Sequence, residues 1–369
     1  MPQSGRTPER LTKRGLVTIS HAIERAALAT AEDGPLVVLA LFQRMPYFER
    51  ERPVYERLAA SAAATVVGIV GPTPPELPAG AYGVALDETE ELGREWSVVA
   101  LTPRFGATLV AYDRGEVAPA VTLEAGRLFD GRWGFRRDEA LHEVIRLRAR
   151  LGDRLPEPAR SRLDEVVARV RDIPAGPGES RAEAAIRMLA DRGERAHRTV
   201  ARRAEPDGPA GLLDEPDLRR WTGADGVTAS GTLPVALVGV RVDEPAGAPE
   251  RFGRRSAARE TQAVLTAVTG VLRPVDRAVR LADNEYLLIL PALDERGALD
   301  VAGRVHEAVG GLARSYPFVA FAVHVAVTVT DRRPLPVADV RHAVEWATRE
   351  GAPVATLAPE PARVPAGAR

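Results

Sequence analysis

The order of apolar strands and amphipathic helices across residues 234–350 leaves few folds open. PVALVGVRV at 234–242 is apolar over the length of a strand, whereas residues 254–272 place Val264, Leu265, Val268 and Leu272 at helical spacing. RAVRLA and YLLILP then form two strands around a short turn, and DERGALDVAGRVHEAVGGLA makes a second helix. FVAFAVHVAVTVT alternates with a period of two, as a half-buried strand does, and residues 339–350 form a last helix. Strand-helix-strand-strand-helix-strand is the order of a split βαβ, ferredoxin-like antiparallel sheet with helices.

The chain is α/β (α+β) throughout, with a second mixed domain at the N-terminus. Residues 16–31 form a helix with Ile19, Ile23, Ala26 and Ala27 on one face, and Gly34-Pro35 ends it. LVVLALFQ at 36–43 is a buried strand. The helix beginning at Phe48 must hold Pro53 in its first turn or break there. TVVGIVG, YGVALD, EWSVVALTP and GATLVAYD add further strands between turn residues. Residues 136–205 are charge-rich and helical, interrupted by Pro156, Pro174 and Pro177. Such helices pack on a neighbouring domain or pair between subunits, so a solvated connector and a dimer stalk both fit.

Composition narrows the functional classes. The net charge of -1 gives no electrostatic case for nucleic acid or an anionic membrane as the main partner. No apolar run approaches the roughly 18 residues that a membrane span needs, and the N-terminus lacks the apolar core of a secretory signal, so a cytoplasmic location is expected. There is no cysteine, hence no disulfide, thiolate ligand or cysteine nucleophile. No histidine pair stands at metal spacing and no glycine-rich phosphate loop is present; no metal site and no cofactor are expected.

The dozen residues RLADNEYLLILP, at 280–291, carry the most specific signal. They resemble the R-x-G-G-D/E-E-F signature of GGDEF, or diguanylate cyclase, domains with its chemistry removed. Ala282 and Asp283 replace the two glycines, Asn284 stands at the metal-binding acid, and Glu285 and Tyr286 keep their character. The resemblance covers residues 206–358 and implies a nucleotide-cyclase-like sheet. It begins at DGPAGLLDEP, which keeps Asp207, Gly211 and Leu212 of the family's opening motif but has Asp214, Glu215 and Pro216 where Asn-Arg-Arg is usual. An active member holds Mg²⁺ with two acids, since the metals neutralise a triphosphate and activate a ribose hydroxyl. The matching positions are Arg241 and Asn284. The guanine-reading positions are Pro249 and Ala258, and the phosphate-embracing Lys and Arg become Thr348 and Ala352. Asp243 and Glu285 remain. The resemblance therefore implies a domain with no catalytic residues and no enzyme activity.

Many GGDEF domains also carry an R-x-x-D motif before the signature, at which cyclic di-GMP binds and inhibits. Arg273-Pro274-Val275-Asp276 has that spacing, and Arg304 lies where the following helix supplies another arginine. Arginine can hold a phosphate or a guanine edge bidentately, and aspartate can accept from guanine. The same residues could equally be solvated charges in a helix-to-strand turn.

The N-terminal segment, residues 11–137, resembles the DICT sensory domain. Ser20-His21-Ala22-Ile23-Glu24, Phe42-Gln43, Phe48, Tyr55, Glu95-Trp96, the run ending at Asp113, and residues 129–133 carry the likeness. A pocket built from His21, Phe42, Gln43, Phe48 and Trp96 would suit a small planar ligand, although such aromatics also build cores. The organisation that follows is a sensor at 11–137, a helical connector at 138–205, a degenerate GGDEF-like domain at 206–358 and a disordered tail at 359–369. The expected protein is a non-catalytic bacterial signalling protein whose partners are cyclic di-GMP or a protein, the latter including a second copy of the chain. A ligand-independent dimerisation or interaction module is the alternative.

Overall fold

The computed structural model describes residues 7–174, 176–203, 212–222, 233–243, 254–314, 321–332 and 334–357. Pro249 and the 359–369 tail fall outside these residues, as does the side chain of Ala258. The chain divides into two units, Met1–Arg114 with Arg127–Thr199, and Gly115–Gly126 with Val200–Arg369.

The first unit is built on a seven-stranded sheet in the order β1-β7-β6-β5-β2-β3-β4. These strands are β1 (Glu9–Thr12), β2 (Val37–Phe42), β3 (Ala64–Val70), β4 (Ala81–Leu86), β5 (Glu95–Leu101), β6 (Gly106–Val117) and β7 (Arg127–Gly134). Every residue of β2 is buried, and the strand pairs in parallel with β3 and antiparallel with β5. Its alternate side chains serve two cores. Val38, Ala40 and Phe42 meet α1 (Lys13–Ala29) and α2 (Met45–Ser61) on one face. Val37, Leu39 and Leu41 meet α3 (Arg137–Leu151) and α4 (Glu157–Val170) on the other.

Two sequence expectations change here. Residues 138–205 do not stand apart as a connector. Val144, Leu147, Leu151, Leu163, Val166 and Val170 form apolar stripes that cover the second face of the sensor sheet. A sheet apolar on both faces needs both covered, and α3 and α4 do so. Helix α5 (Pro177–Arg203) also adds Ile186 and Ala190 to the first core, and the unit runs to Thr199. The second change concerns Pro53, which lies inside α2 rather than in its first turn. The helix starts three residues before Phe48, with Pro46 in the first turn, where the missing N–H costs nothing. Burying Phe48, Tyr55 and Leu58 completely, at about 1.5–3 kcal/mol each, outweighs the roughly 3 kcal/mol cost of an internal proline.

The second unit contains a six-stranded sheet in the order β13-β12-β9-β11-β10-β8. Its strands are β8 (Leu212–Leu213), β9 (Val235–Asp243), β10 (Arg277–Ala282), β11 (Glu285–Pro291), β12 (Ala322–Thr330) and β13 (Val354–Thr356). The helices are α6 (Glu215–Thr222), α7 (Arg254–Thr269), α8 (Glu295–Gly310) and α9 (Val337–Arg349). The central four strands are antiparallel neighbours in the order β12-β9-β11-β10, linked by α7 and α8 as the ferredoxin-like order requires. Val264, Leu265 and Val268 of α7 and Val301, Val305 and Val309 of α8 close one face. On the other face α9 packs closely over Gly239: a Cβ there would meet methyl groups of Val344 and Val340 at 2.6 and 2.7 Å.

Candidate functional site

Three constellations carry the polar chemistry that the sequence singled out. The first is the signature itself. The β10–β11 register shifts between Arg280 and Ala282, and Ala282 then pairs with Glu285, so Asp283 and Asn284 form the hairpin tip. Strand pairing sets Glu285 of β11 opposite Arg241 of β9. Arg241 Nε donates to Asp243 Oδ1 and Oδ2 at 2.9 and 3.2 Å, and its Nη1 lies 3.5 Å from Glu285 Oε1. Asn284 Nδ2 donates to the same Asp243 Oδ1 at 3.1 Å. Arg341 of α9 holds the other Glu285 oxygen, Oε2, at 3.3 Å. Hydrogen bonding to Asp243 pushes Arg241 further above its ordinary value, so its charge is permanent.

The donor set does not suit Mg²⁺. Both remaining carboxylates are neutralised by guanidinium groups, and a third position offers an amide N–H instead of an oxygen anion. Arg341 was missed by sequence reasoning because it stands 56 residues beyond Glu285, in no motif. Thr348 turns its hydroxyl back to Val344 O at 2.9 Å, and Ala352 O meets His324 Nδ1 at 3.0 Å. Neither offers a cation to a phosphate.

The second constellation is the R-x-x-D segment. Asp276 is 1% exposed and lies under the turn between α7 and β10. Its carboxylate accepts from Arg273 N at 2.7 Å, from Arg273 Nη2 at 2.8 Å and from Arg273 Nε at 3.1 and 3.2 Å. Arg273 Nη2 also donates to Pro291 O at 2.9 Å. Arg273 and Arg304 line one open groove on α8 together with Asp300 and Glu307, whereas Asp276 does not. The structure thus brings the two arginines together and commits the aspartate to the turn.

The third lies in the first unit. Thr12 caps α1 by accepting from Gly15 N at 3.1 Å, and the helix then aligns Ser20, His21 and Glu24 at spacings of three and four. Across from them α2 presents Glu51 and Tyr55, also four apart. His21 Nε2 meets Glu51 Oε1 at 3.0 Å. Ser20 Oγ and Tyr55 OH donate to Glu24 Oε1 at 3.1 and 3.2 Å, while Glu24 Oε2 is buried without a partner. Burial first, then the nearby Glu51 charge, raises Glu24 to about 7.

Beside this cluster a cavity of about 70 Å³ is lined by His21, Phe42, Gln43, Trp96, Tyr47 and Phe129, among others. The volume holds several waters or a small ligand, since one water needs only about 10–15 Å³ on that measure. Trp96 Nε1 is buried and unpartnered, and Gln43 Nε2 donates to Arg94 O at 3.0 Å. Phe48 is fully buried and sits edge-on to Phe42 and Tyr55, so it belongs to the core behind the pocket. Lys13, the chain's only lysine, lies 4.2 Å from the Tyr47 ring centroid and lines the same cavity. Burial, then Arg127 and Arg50, pushes it down to about 6. Sequence reasoning missed Glu51, Lys13 and Arg50; only the pairing of α1 with α2 brings Glu51 to His21.

Residues 1–114 match the model of the DICT family, described as a sensory domain in diguanylate cyclases and two-component systems. Solved structures similar to this chain include GGDEF domains. That of YfiN (TpbB) from Pseudomonas aeruginosa is 18% identical, with 40% of this chain and 97% of that chain covered and a TM-score of 0.34. That of DgcB from Caulobacter crescentus, in complex with c-di-GMP, is 19% identical over 42% and 95% of the two chains, with a TM-score of 0.31. The diguanylate cyclase SiaD from Pseudomonas aeruginosa, in complex with its activator SiaC, is 22% identical over 60% and 88%, with a TM-score of 0.36. Comparison with curated proteins finds no match. No described helix is long and apolar enough to cross a membrane. The chain thus carries a DICT sensory domain, followed by a unit with a ferredoxin-like sheet.

Proposed function

We propose that the protein is a non-catalytic signalling protein in which the sensory unit is coupled to a GGDEF-like unit that makes no cyclic di-GMP. The observation that carries this reading is the closed ion network Arg241–Asp243–Asn284 and Arg241–Glu285–Arg341. A metal ion approaching Asp243 or Glu285 would have to displace a guanidinium already hydrogen-bonded there, and it would meet the positive charge of Arg241 at short range. Purified protein incubated with GTP and Mg²⁺ is expected to form no cyclic di-GMP. Product formation that is lost on Glu285→Gln would overturn the proposal.

Reception of cyclic di-GMP is the finer reading, and the groove shared by Arg273 and Arg304 favours it. Two arginines on one open surface can grip a phosphodiester, while Asp276 keeps its structural role in the turn. Calorimetry with cyclic di-GMP is expected to show binding that weakens about tenfold or more in Arg304→Ala, since losing one charge-assisted contact costs on the order of 1.5–3 kcal/mol. Absence of binding, or binding indifferent to Arg304→Ala, leaves the unit as a ligand-independent surface for a protein partner or a second copy.

A further inference from the structure

Nothing in the signature or the R-x-x-D segment explains why a glutamate lies almost fully buried between two helices with one oxygen unpartnered. Glu24 is 2% exposed, and Oε2 finds no donor among the described residues. An orphaned carboxylate oxygen in an apolar setting costs free energy comparable to a lost hydrogen bond or more, so a partner is expected. The candidates are set by what surrounds it. His21, Glu24 and Glu51 each offer a donor atom, and these atoms lie within 4.8 Å of one another.

We infer that His21, Glu24 and Glu51 form a binding site for a divalent transition-metal ion at the edge of the sensor cavity. A tetrahedral ion with bonds of about 2.0–2.2 Å holds its donors roughly 3.4 Å apart. His21 Nε2 and Glu51 Oε1, at 3.0 Å, already stand near that separation, and the Glu24 carboxylate offers an oxygen within 4.8 Å of both. One imidazole and two carboxylates neutralise a divalent charge. The nitrogen donor favours Zn²⁺, Fe²⁺, Ni²⁺ or Cu²⁺ over Mg²⁺ and Ca²⁺, which prefer oxygen alone.

The surroundings fit such a site in two further respects. Ser20 and Tyr55 both hold Glu24 Oε1, which orients the carboxylate and leaves Oε2 as the ligand atom. Three protein ligands leave a coordination position open, and His21 and Glu51 line the cavity with Phe42, Trp96 and Phe129. That position would take water or a small donor ligand entering the cavity. The site is independent of the non-catalytic reading of the second unit, because metal binding and GTP turnover are measured separately and either can fail alone.

The test is titration calorimetry of the full chain, stripped with a chelator, against Zn²⁺, Mn²⁺ and Mg²⁺. One Zn²⁺ per chain is expected, and no heat with Mg²⁺. His21→Ala, which removes a partly exposed side chain, and Glu24→Gln, which keeps the shape, should each weaken Zn²⁺ binding by roughly tenfold or more. Tyr55→Phe should weaken it by about tenfold while keeping the stoichiometry. Co²⁺ substitution should give visible d–d absorption that both ligand variants lose. Absence of stoichiometric Zn²⁺ binding overturns the proposal, as does binding that persists unchanged in His21→Ala and Glu24→Gln, which would place the ion elsewhere.

Discussion

Arg146→Ala is expected to lower the stability of the sensory unit by about 3–5 kcal/mol, the cost of removing one partner from a buried ion pair. Arg146 of α3 lies between two carboxylates that water does not reach. Its Nη2 is 2.5 Å from Glu95 Oε1 on β5, and its Nε is 2.6 Å from Glu143 Oε2 on α3. Glu95 is 0% exposed and Glu143 1%. Tyr112 OH, at 2.8 Å, and Ser97 Oγ complete the shell of Glu95, and Arg132 supplies a second cation to Glu143. Burial would raise Glu143, but Arg146 and Arg132 outweigh it and hold the carboxyl below its ordinary value of 4.5.

The sign of the pH effect follows from that direction. A depressed folded value contributes stability that is complete above the unfolded value and is lost as pH falls through the folded one. The contribution of Glu143 should therefore be lost only under acidic conditions, as pH falls below its ordinary value of 4.5. In Arg146→Ala the two buried carboxylates lose a shared cation, so the penalty should shrink as pH falls. Urea midpoints at neutral and acidic pH measure this. A variant with a loss under about 1 kcal/mol would mean that water reaches Glu95.

The sequence showed what repeats locally and missed what depends on distant segments meeting. Strands β2 and β11 were readable because six or seven consecutive apolar residues of strand length have few other fates. Strand β1 was not. Its four residues, ERLT, are polar apart from Leu11, and it exists because it pairs with β7 at the sheet edge, Leu11 opposite Phe129. The charge-rich helices after residue 137 were legible only in part. Their charge left a solvated connector, a dimer stalk and packing on a neighbouring domain all open, and it did not show that the Glu143–Arg146 pair points inward to Glu95, a partner 51 residues away from Arg146. Charge patterning cannot separate a solvated helix face from one that buries its charges in pairs.

The candidate sites divide along the same line. Asn284, Arg241 and Glu285 were all singled out in the sequence, and the structure links them through Asp243 and Arg241. Arg341 and Glu51 were not, since each belongs to a helix whose docking no local period announces. Asp276 shows a third case. The spacing left both ligand contact and turn open; the carboxylate lies 1% exposed under the turn, and burial is not written in four residues.

Gly106→Ala should be about as damaging as a core overpacking mutation can be, roughly 3 kcal/mol, although it adds a single methyl group. A Cβ at Gly106 would lie 2.4 Å from Arg137 Cα, 2.9 Å from Arg137 N and 3.0 Å from Ala140 Cβ. The first two are backbone atoms of the opening turn of α3, so no rotamer change relieves the overlap. The helix cannot simply slide away either. Arg137 N donates to Glu179 Oε2 at 2.9 Å, and its Nη1 donates to Pro103 O at 2.6 Å, which ties that turn to two other segments. The gain of up to about 1 kcal/mol from a stiffer unfolded chain does not offset the collision. Gly303→Ala on α8 provides the contrast. No atom lies within 4 Å of a Cβ built there, and the position is interior to a helix. The same chemical change should therefore stabilise the second unit by about 0.5–1 kcal/mol, since alanine fixes helical backbone at lower entropic cost than glycine. Thermal midpoints of the two variants should move in opposite directions, and a neutral Gly106→Ala would mean that α3 does not rest against the start of β6.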